Sequence, residues 1–157
     1  LPTRVNREVE VRPLRTDDDW AQATESQVAV RDERHQLEPY RVFQARKMAR
    51  YRTMAEAAVG AWFGAFLEGR LVADLGLYTD GTFGRFQSVG THPDYRRRGI
   101  CGTLVHAAAE HALQRFGVKT LVMVADPEYH AARIYMSLGF APTEQQLGLE
   151  WADRDGS

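Results

Sequence analysis

Thr91-His92-Pro93-Asp94-Tyr95-Arg96-Arg97-Arg98-Gly99-Ile100-Cys101-Gly102 follows a β-like run and opens directly into a helical pattern from Thr103 to Phe116. A glycine-bearing turn between a strand and a helix aims backbone N–H groups outward at the positive end of the helix dipole, a setting for an anion such as phosphate. Three consecutive arginines add positive charge beside it. Two common phosphate loops do not fit. A P-loop needs a lysine followed by Ser or Thr, and Thr103 is preceded by Gly102. A dinucleotide fingerprint needs three glycines at set spacing, and only Gly99 and Gly102 are present. Alone, the turn need do no more than join a strand to a helix.

Upstream of it, Thr82 to Thr91 reads as a strand, but Phe83, Phe86 and Val89 recur every third residue where a regular strand alternates by two. A β-bulge near Gln87 and Ser88 would restore parity, and bulges often sit beside active sites. A plain edge strand with one exposed aromatic accounts for the same pattern. Ala61 to Leu67 and Leu71 to Tyr78 form a hairpin about Glu68-Gly69-Arg70, and Thr79-Asp80-Gly81 turns the chain into the bulged strand. Further upstream, Val9 to Leu14 alternates as a first strand, and Thr16 caps a helix whose first turn holds Asp17, Asp18 and Asp19. That helix is predicted to end near Val30. A second runs from near Pro39 towards Val59 with a stripe of Tyr40, Phe43, Tyr51 and Met54, interrupted by Lys47.

Downstream, the central helix is predicted to bury Leu104, Val105, Ala108, Ala112 and Leu113 and to stop at Gly117. Thr120 to Ala125 is a continuous apolar run, which predicts a strand covered on both faces. Glu128 to Leu138 reads as a short helix stopped by Gly139, and Phe140 to Thr143 and Gln145 to Trp151 as two last strand segments. Antiparallel strands followed by a strand–helix–strand unit make the fold class α+β, with one mixed central sheet and flanking helices. The 157 residues read as a single domain, with residues 1–8 and 152–157 as tails.

Composition narrows the function classes. A net charge of −1 argues against a dedicated nucleic-acid binder, so the arginine triplet is a local cluster. No apolar run approaches a membrane span, and a single cysteine with no zinc-spaced Cys/His group suits a reducing, cytoplasmic setting without metal. The chain opens on Leu1 rather than Met, as a processed product, a trimmed chain or a piece of something longer would.

The whole segment from His92 to Gly102 resembles the pyrophosphate-binding motif of the GNAT superfamily of acyl-CoA-dependent N-acetyltransferases. Ala131-Ala132-Arg133-Ile134-Tyr135-Met136-Ser137-Leu138-Gly139-Phe140 is similar to that family's second cofactor motif. The resemblance covers roughly residues 9–151. It implies a GNAT-like sheet with a strand–helix–strand CoA-binding core, acetyl-CoA as cosubstrate, and transfer of acetyl to a primary amine by direct attack in a ternary complex. The amine would be a small molecule or a peptide, and relatives often dimerise. By the same resemblance, Val89, Gly90 and Thr91 offer backbone hydrogen bonds to the pantetheine arm. Arg96, Arg97, Arg98, Gly99, Ile100, Cys101 and Gly102 hold the pyrophosphate, and Glu128, Ala131 and Tyr135 line the cofactor. Tyr135 is the implied catalytic acid that protonates the departing thiolate, since a phenol and a thiol have neighbouring pKa values.

Two positions depart from the motif. Cys101 replaces Gly or Ala, and its place at a helix N-terminus beside arginines predicts a lowered thiol pKa. Glu128 stands where Asn is frequent. The bulged strand also has Gln87 and Ser88 where many relatives carry a Glu base. Glu33, His35, Glu38, Asp74 and His92 remain as base candidates, and a water chain is equally open. Glu33, His35, Gln36 and Glu38 lie where the family builds its acceptor site, and their acidity would suit a cationic amine. His106 and His111 do not make a metal pair. A second functional reading is a non-catalytic acyl-CoA-binding or regulatory module, one half of a tandem protein.

Overall fold

The structure is a computed structural model, and it describes residues 1–147. The element order is β1 (Glu10–Pro13), α1 (Asp17–Ala29), α2 (Leu37–Glu56), β2 (Gly60–Leu67), β3 (Arg70–Thr79), β4 (Phe83–Thr91), α3 (Ile100–His111), β5 (Thr120–Val122) and α4 (Ala131–Ser137). A single 3-10 turn at Pro93–Tyr95 precedes α3, and a π turn at Ala112–Phe116 extends it. The five strands lie in sequence order, with three antiparallel pairings followed by a parallel β4–β5 pair. The α+β class with one mixed sheet and flanking helices is thus what the chain adopts. No helix among the described residues is long and apolar enough to cross a membrane.

Alternation along β2 and β3 feeds two cores. Phe63, Ala65, Ala73, Leu75 and Leu77 face α3, whose Ile100, Leu104, Val105 and Ala108 are buried against them. Trp62, Phe66, Leu71 and Tyr78 face α1 and α2 and meet Trp20, Ala23 and Met48. Thr16 caps α1 as its sequence predicts: its side chain accepts from Asp19 N–H at 3.0 Å, and Asp19 Oδ2 accepts from Thr16 N–H at 3.1 Å. Asp19 is also gripped by both terminal nitrogens of Arg12 at 2.7 and 2.9 Å, which holds its carboxyl far below the usual carboxylate range.

Several expectations are corrected. Leu113 is exposed, because the π turn that begins at Ala112 rotates it off the buried face. Phe43 of the α2 stripe is exposed as well. The Thr120–Ala125 run forms only a three-residue strand, and one face of it is covered: Leu121 and Met123 pack on the core while Val122 and Val124 point outward. The last helix begins at Ala131 rather than Glu128, after a turn in which Asp126 Oδ1 accepts from Glu128 N–H at 2.9 Å. Phe140 to Thr143 is not a strand; Phe140 instead turns its ring onto Phe86 and Tyr135. Of Gln145 to Trp151, residues 145–147 are irregular, and the rest lie outside the described residues. Residues 1–7, read as a tail, are tied to the domain through Arg4 and Asn6.

Gly76 makes the α1/α2-side core possible. It pairs with Trp62 across β2–β3, and a Cβ there would lie 2.6 Å from the indole carbons and 2.9 Å from the Tyr78 ring. Gly76→Ala should therefore cost about 2 kcal/mol by overpacking and lower the thermal midpoint by several degrees. Chemical and thermal unfolding measure it, and an unchanged midpoint would show that the indole can yield.

Candidate functional site

The extra residue in β4 is present. Gly76 pairs with Gln87 and Asp74 with Gly90, so Ser88 and Val89 together oppose the single residue Leu75. Ser88 takes φ +47°, a left-handed conformation that non-glycine residues seldom adopt. Pairing with β5 ends at Arg85 and Val122, whereas β4 runs on to Thr91. The two parallel strands thus part before the bulge, and the far edge of β4 is left without a β5 partner.

Beneath the bulge lies a buried carboxylate. Asp74 is fully buried and accepts from Ser26 Oγ at 2.8 Å, Gln27 Nε2 at 2.9 Å and Trp62 Nε1 at 2.8 Å. Burial pushes its pKa from 3.8 up to about 6, because lost hydration outweighs the three donors and the nearby Lys47 charge. Gln27 Nε2 also donates to the Ser88 carbonyl at 2.9 Å. From α2, Lys47 Nζ donates to Ser88 Oγ at 2.8 Å, and burial lowers the lysine pKa. One turn on, the Tyr51 hydroxyl reaches Gln87 Oε1 at 3.4 Å.

This arrangement removes Asp74 from direct base chemistry, since both oxygens are occupied and sealed from solvent. Glu33, His35 and Glu38 are exposed between the ends of α1 and α2; the His35 ring stacks on Tyr40 at 5.2 Å. His92 caps the 3-10 turn, its Nδ1 accepting from Asp94 N–H. Sequence reasoning missed Ser26, Gln27, Lys47 and Trp62. The one signal for Lys47 was its break in an apolar stripe.

Past the bulge, the chain makes the turn that the sequence marks. Arg97 (φ +60°) and Gly99 (φ +76°) are both left-handed, and α3 starts at Ile100. The N–H groups of Ile100, Cys101 and Gly102 form its first turn and have no intrahelical acceptor, which suits a phosphate. The arginine side chains divide: Arg96 Nε donates to the Thr91 carbonyl at 3.2 Å, and Arg98 lies 5.3 Å from the Tyr95 ring centre. The N-terminal segment braces the outer side. Arg4 donates to the Arg97 carbonyl at 2.8 Å, Asn6 Nδ2 to the Arg98 carbonyl at 3.0 Å, and Asn6 N–H to Thr103 Oγ1 at 2.9 Å. None of these bonds uses an N–H of the turn. A Cβ on Gly99 would lie 2.9 Å from the Arg4 carbonyl oxygen, so glycine is required by space as well as by φ.

The second sequence motif comes to rest against this turn. A Cβ on Gly102 would sit 3.6 Å from Ile134 Cγ2, so α4 stacks on the first turn of α3. Tyr135 is buried in the α3-side core, and burial, with Cys101 nearby, pushes its phenol well above the usual range. Ala131 is partly buried beside it, while Glu128 is exposed in the preceding turn. Cys101 corrects an expectation: burial raises its thiol to about 11, so desolvation overrides the helix N-terminus and the arginines, whose charges point elsewhere. Among the described residues no cluster of His, Cys, Asp or Glu is arranged to hold a metal; His111 packs between Phe63 and Phe116. One surface depression lies around Phe83 and Val122, away from the turn, and another around Gln22, Ser26 and His92, at the turn's upstream end.

Residues 19–140 match the family model described as acetyltransferase (GNAT) family. Comparison with curated proteins gave no match. Among solved structures, a transcriptional regulator from Bacillus halodurans C-125 superposes with a TM-score of 0.72 at 22% identity, covering 91% of this chain and 99% of that one. The glucosamine-6-phosphate N-acetyltransferase of Arabidopsis thaliana gives 0.70 at 12% identity, with 92% and 99% covered. An aminoglycoside acetyltransferase from an uncultured soil metagenomic sample gives 0.69 at 16% identity, with 96% and 100% covered. At these identities the likeness is one of fold.

Two outcomes follow from the burial of Asp74 and Cys101. Asp74 binds its proton more tightly folded than unfolded, so its contribution is fully present below about pH 4 and lost as pH rises through about pH 6, a change of about 3 kcal/mol. Urea unfolding of the wild type and of Asp74→Asn across that window should show the wild type losing stability relative to the variant; parallel curves would refute it. Iodoacetamide should alkylate Cys101 at neutral pH at least roughly 10-fold more slowly than a free thiol. A faster reaction, followed by mass spectrometry, would mean that the thiol is activated after all.

Proposed function

The chain belongs to the GNAT family of acetyltransferases, and on that footing we propose that it transfers acetyl from acetyl-CoA to a primary amine in a ternary complex. One observation carries this reading: the turn with two left-handed residues and three unsatisfied helix N–H groups lies at the end of a strand that has parted from its parallel neighbour. The parted edge suits an extended arm and the turn suits its phosphates. Bound acetyl-CoA would supply a thioester carbonyl open to attack by an unprotonated amine.

The remaining chemistry belongs to the chain. The N–H groups of Ile100, Cys101 and Gly102 hold the pyrophosphate, braced from behind by Asn6 and Arg4. Backbone groups of Val89 to Thr91 orient the arm. Tyr135 remains a neutral phenol at working pH because burial disfavours its anion. As the carbon–sulfur bond breaks, the desolvated thiolate takes the Tyr135 proton, which is restored from solvent. The amine proton leaves through water, since Gln87 and Ser88 offer no carboxylate on the bulge and Asp74 is sealed beneath it. That missing carboxylate is also what favours the second reading, a non-catalytic CoA-binding module. The fold does not choose the acceptor: of the similar structures, one is named for an amino-sugar phosphate and another for aminoglycosides.

Calorimetry with acetyl-CoA, followed by a transfer assay over an amine panel, tests the proposal. Binding with transfer supports catalysis, binding alone supports the second reading, and no binding removes both. Tyr135→Phe should lower kcat roughly 100-fold, the range of a lost general acid, with acetyl-CoA affinity nearly unchanged. An unchanged kcat would take Tyr135 out of this role.

A further inference from the structure

The face of α2 turned towards the bulge carries a cation with no ion-pair partner among the described residues. Lys47 lies between Gln44 and Tyr51, and its ammonium is part-buried with the Ser88 hydroxyl as its hydrogen-bond partner. An ammonium has three donors, and burying one that is under-satisfied is costly. Among the described residues no carboxylate lies within ion-pairing distance of it. Arg12, Arg41 and Arg52 are each matched by an acid: Asp19, Glu25 and Asp17. The negative group nearest in effect, Asp74, lies on the same α1/α2 side of the sheet but makes no ion pair with Lys47 and is committed to Ser26, Gln27 and Trp62.

A second cation with an unpartnered buried group, Arg31, lies just past the end of α1. Arg31 follows Gln27 by four residues at the end of α1, and Gln27 itself holds the Ser88 carbonyl. The buried Nε of Arg31 has no hydrogen-bond partner. Val30, its neighbour, packs over Gly90, where a Cβ would lie 3.3 Å from Val30 Cγ2. Lys47 is therefore an under-satisfied cation set directly against the bulge, and the end of α1 that carries Arg31 packs on the same segment through Gln27 and Val30. The acids that suggested a cationic amine in the sequence stand differently. Glu33 and Glu38 are both exposed, and Glu38 faces Arg41 at 3.9 Å. Exposed pairs of that kind exert little pull on a ligand.

We infer that the acceptor amine bears an anionic group of its own, a carboxylate or a phosphate, and that Lys47 recognises it from the α2 side of the bulge. This rests on the acetyltransferase reading, because the acceptor must approach Ser88–Gly90 to reach the thioester. An anion there fills the empty donors of Lys47 and offsets its burial. A polycationic acceptor would instead bring like charge against the part-buried Lys47, which disfavours it.

The test uses the full chain, acetyl-CoA and matched amine pairs: L-amino acids beside their amides, and glucosamine beside its 6-phosphate. The anionic member of one pair should be preferred roughly 10- to 100-fold in kcat/KM, the scale of one hydrogen bond between charged groups; which pair responds separates carboxylate from phosphate. Lys47→Met should collapse that ratio chiefly through KM for the anionic member, while Lys47→Arg keeps most of it. Lys47→Gln, which retains a donor to Ser88, serves if the methionine variant fails to fold, and Lys119→Met is the control for an exposed lysine. Calorimetric binding of the preferred N-acetylated product should weaken in parallel. Preference for the neutral member, loss of both members alike in Lys47→Met, or transfer to neutral amines with none to any anionic amine would overturn the inference and leave the acetyltransferase reading standing. Failure to bind acetyl-CoA would remove both.

Discussion

The extra residue in β4 is the constraint on which the rest of the structure depends. With Ser88 and Val89 set against Leu75 alone, β4 shifts its register on β3 and stays bound to it through Gly90 and Thr91, beyond the point at which its pairing with β5 has already ended. A left-handed serine is costly, and the surroundings hold it from several sides. Gln27 grips its carbonyl, Lys47 grips its hydroxyl, and the same Gln27 amide is anchored on Asp74. The buried carboxylate is thus more than a core defect. It is the fixed point from which α1, β2 and the bulge are aligned, through Ser26, Gln27 and Trp62. The network holds because each buried oxygen of Asp74 has at least one donor, Oδ1 from Ser26 and Oδ2 from Gln27 and Trp62.

The turn before α3 obeys a different logic. There the carbonyls are satisfied by Arg4, Asn6 and Arg96, and the N–H groups are left for a ligand. The arginine triplet contributes less as a positive patch than as scaffolding. One side chain returns to Thr91, one stacks on Tyr95, and the residue between supplies a left-handed φ. That division explains why three adjacent arginines on a chain of net charge −1 do not make a nucleic-acid surface.

Much of the fold was legible. The Thr16 cap, the two hairpins, the strand–turn–helix at Thr91 to Thr103 and the broken parity of Phe83, Phe86 and Val89 all follow from local rules that act within a few residues. What local rules missed has one cause: burial set by distant elements. Lys47 interrupts an apolar stripe, and nothing nearby in sequence says that the opposing surface is a serine hydroxyl on β4. Cys101 sits where a helix dipole should acidify it, yet packing against α4 strips its solvent and reverses the sign. The apolar run at Thr120 promised two covered faces, and only one is covered.

By itself, then, the sequence determined the kind of chemistry: a phosphate-suited turn at His92 to Gly102 and a tyrosine motif at Ala131 to Phe140, on elements whose order fixes an α+β sheet. These are contiguous motifs, and their meaning survives in one dimension. Only the tertiary structure decided which charges are paid for and which are free. It sealed Asp74 in the core, tied the N-terminal segment to the turn through Arg4 and Asn6, and set Lys47 against the bulge with no carboxylate in ion-pairing distance among the described residues. The physical reason is that desolvation and charge pairing depend on what comes close in space, and α2 meets β4 some forty residues apart in the chain.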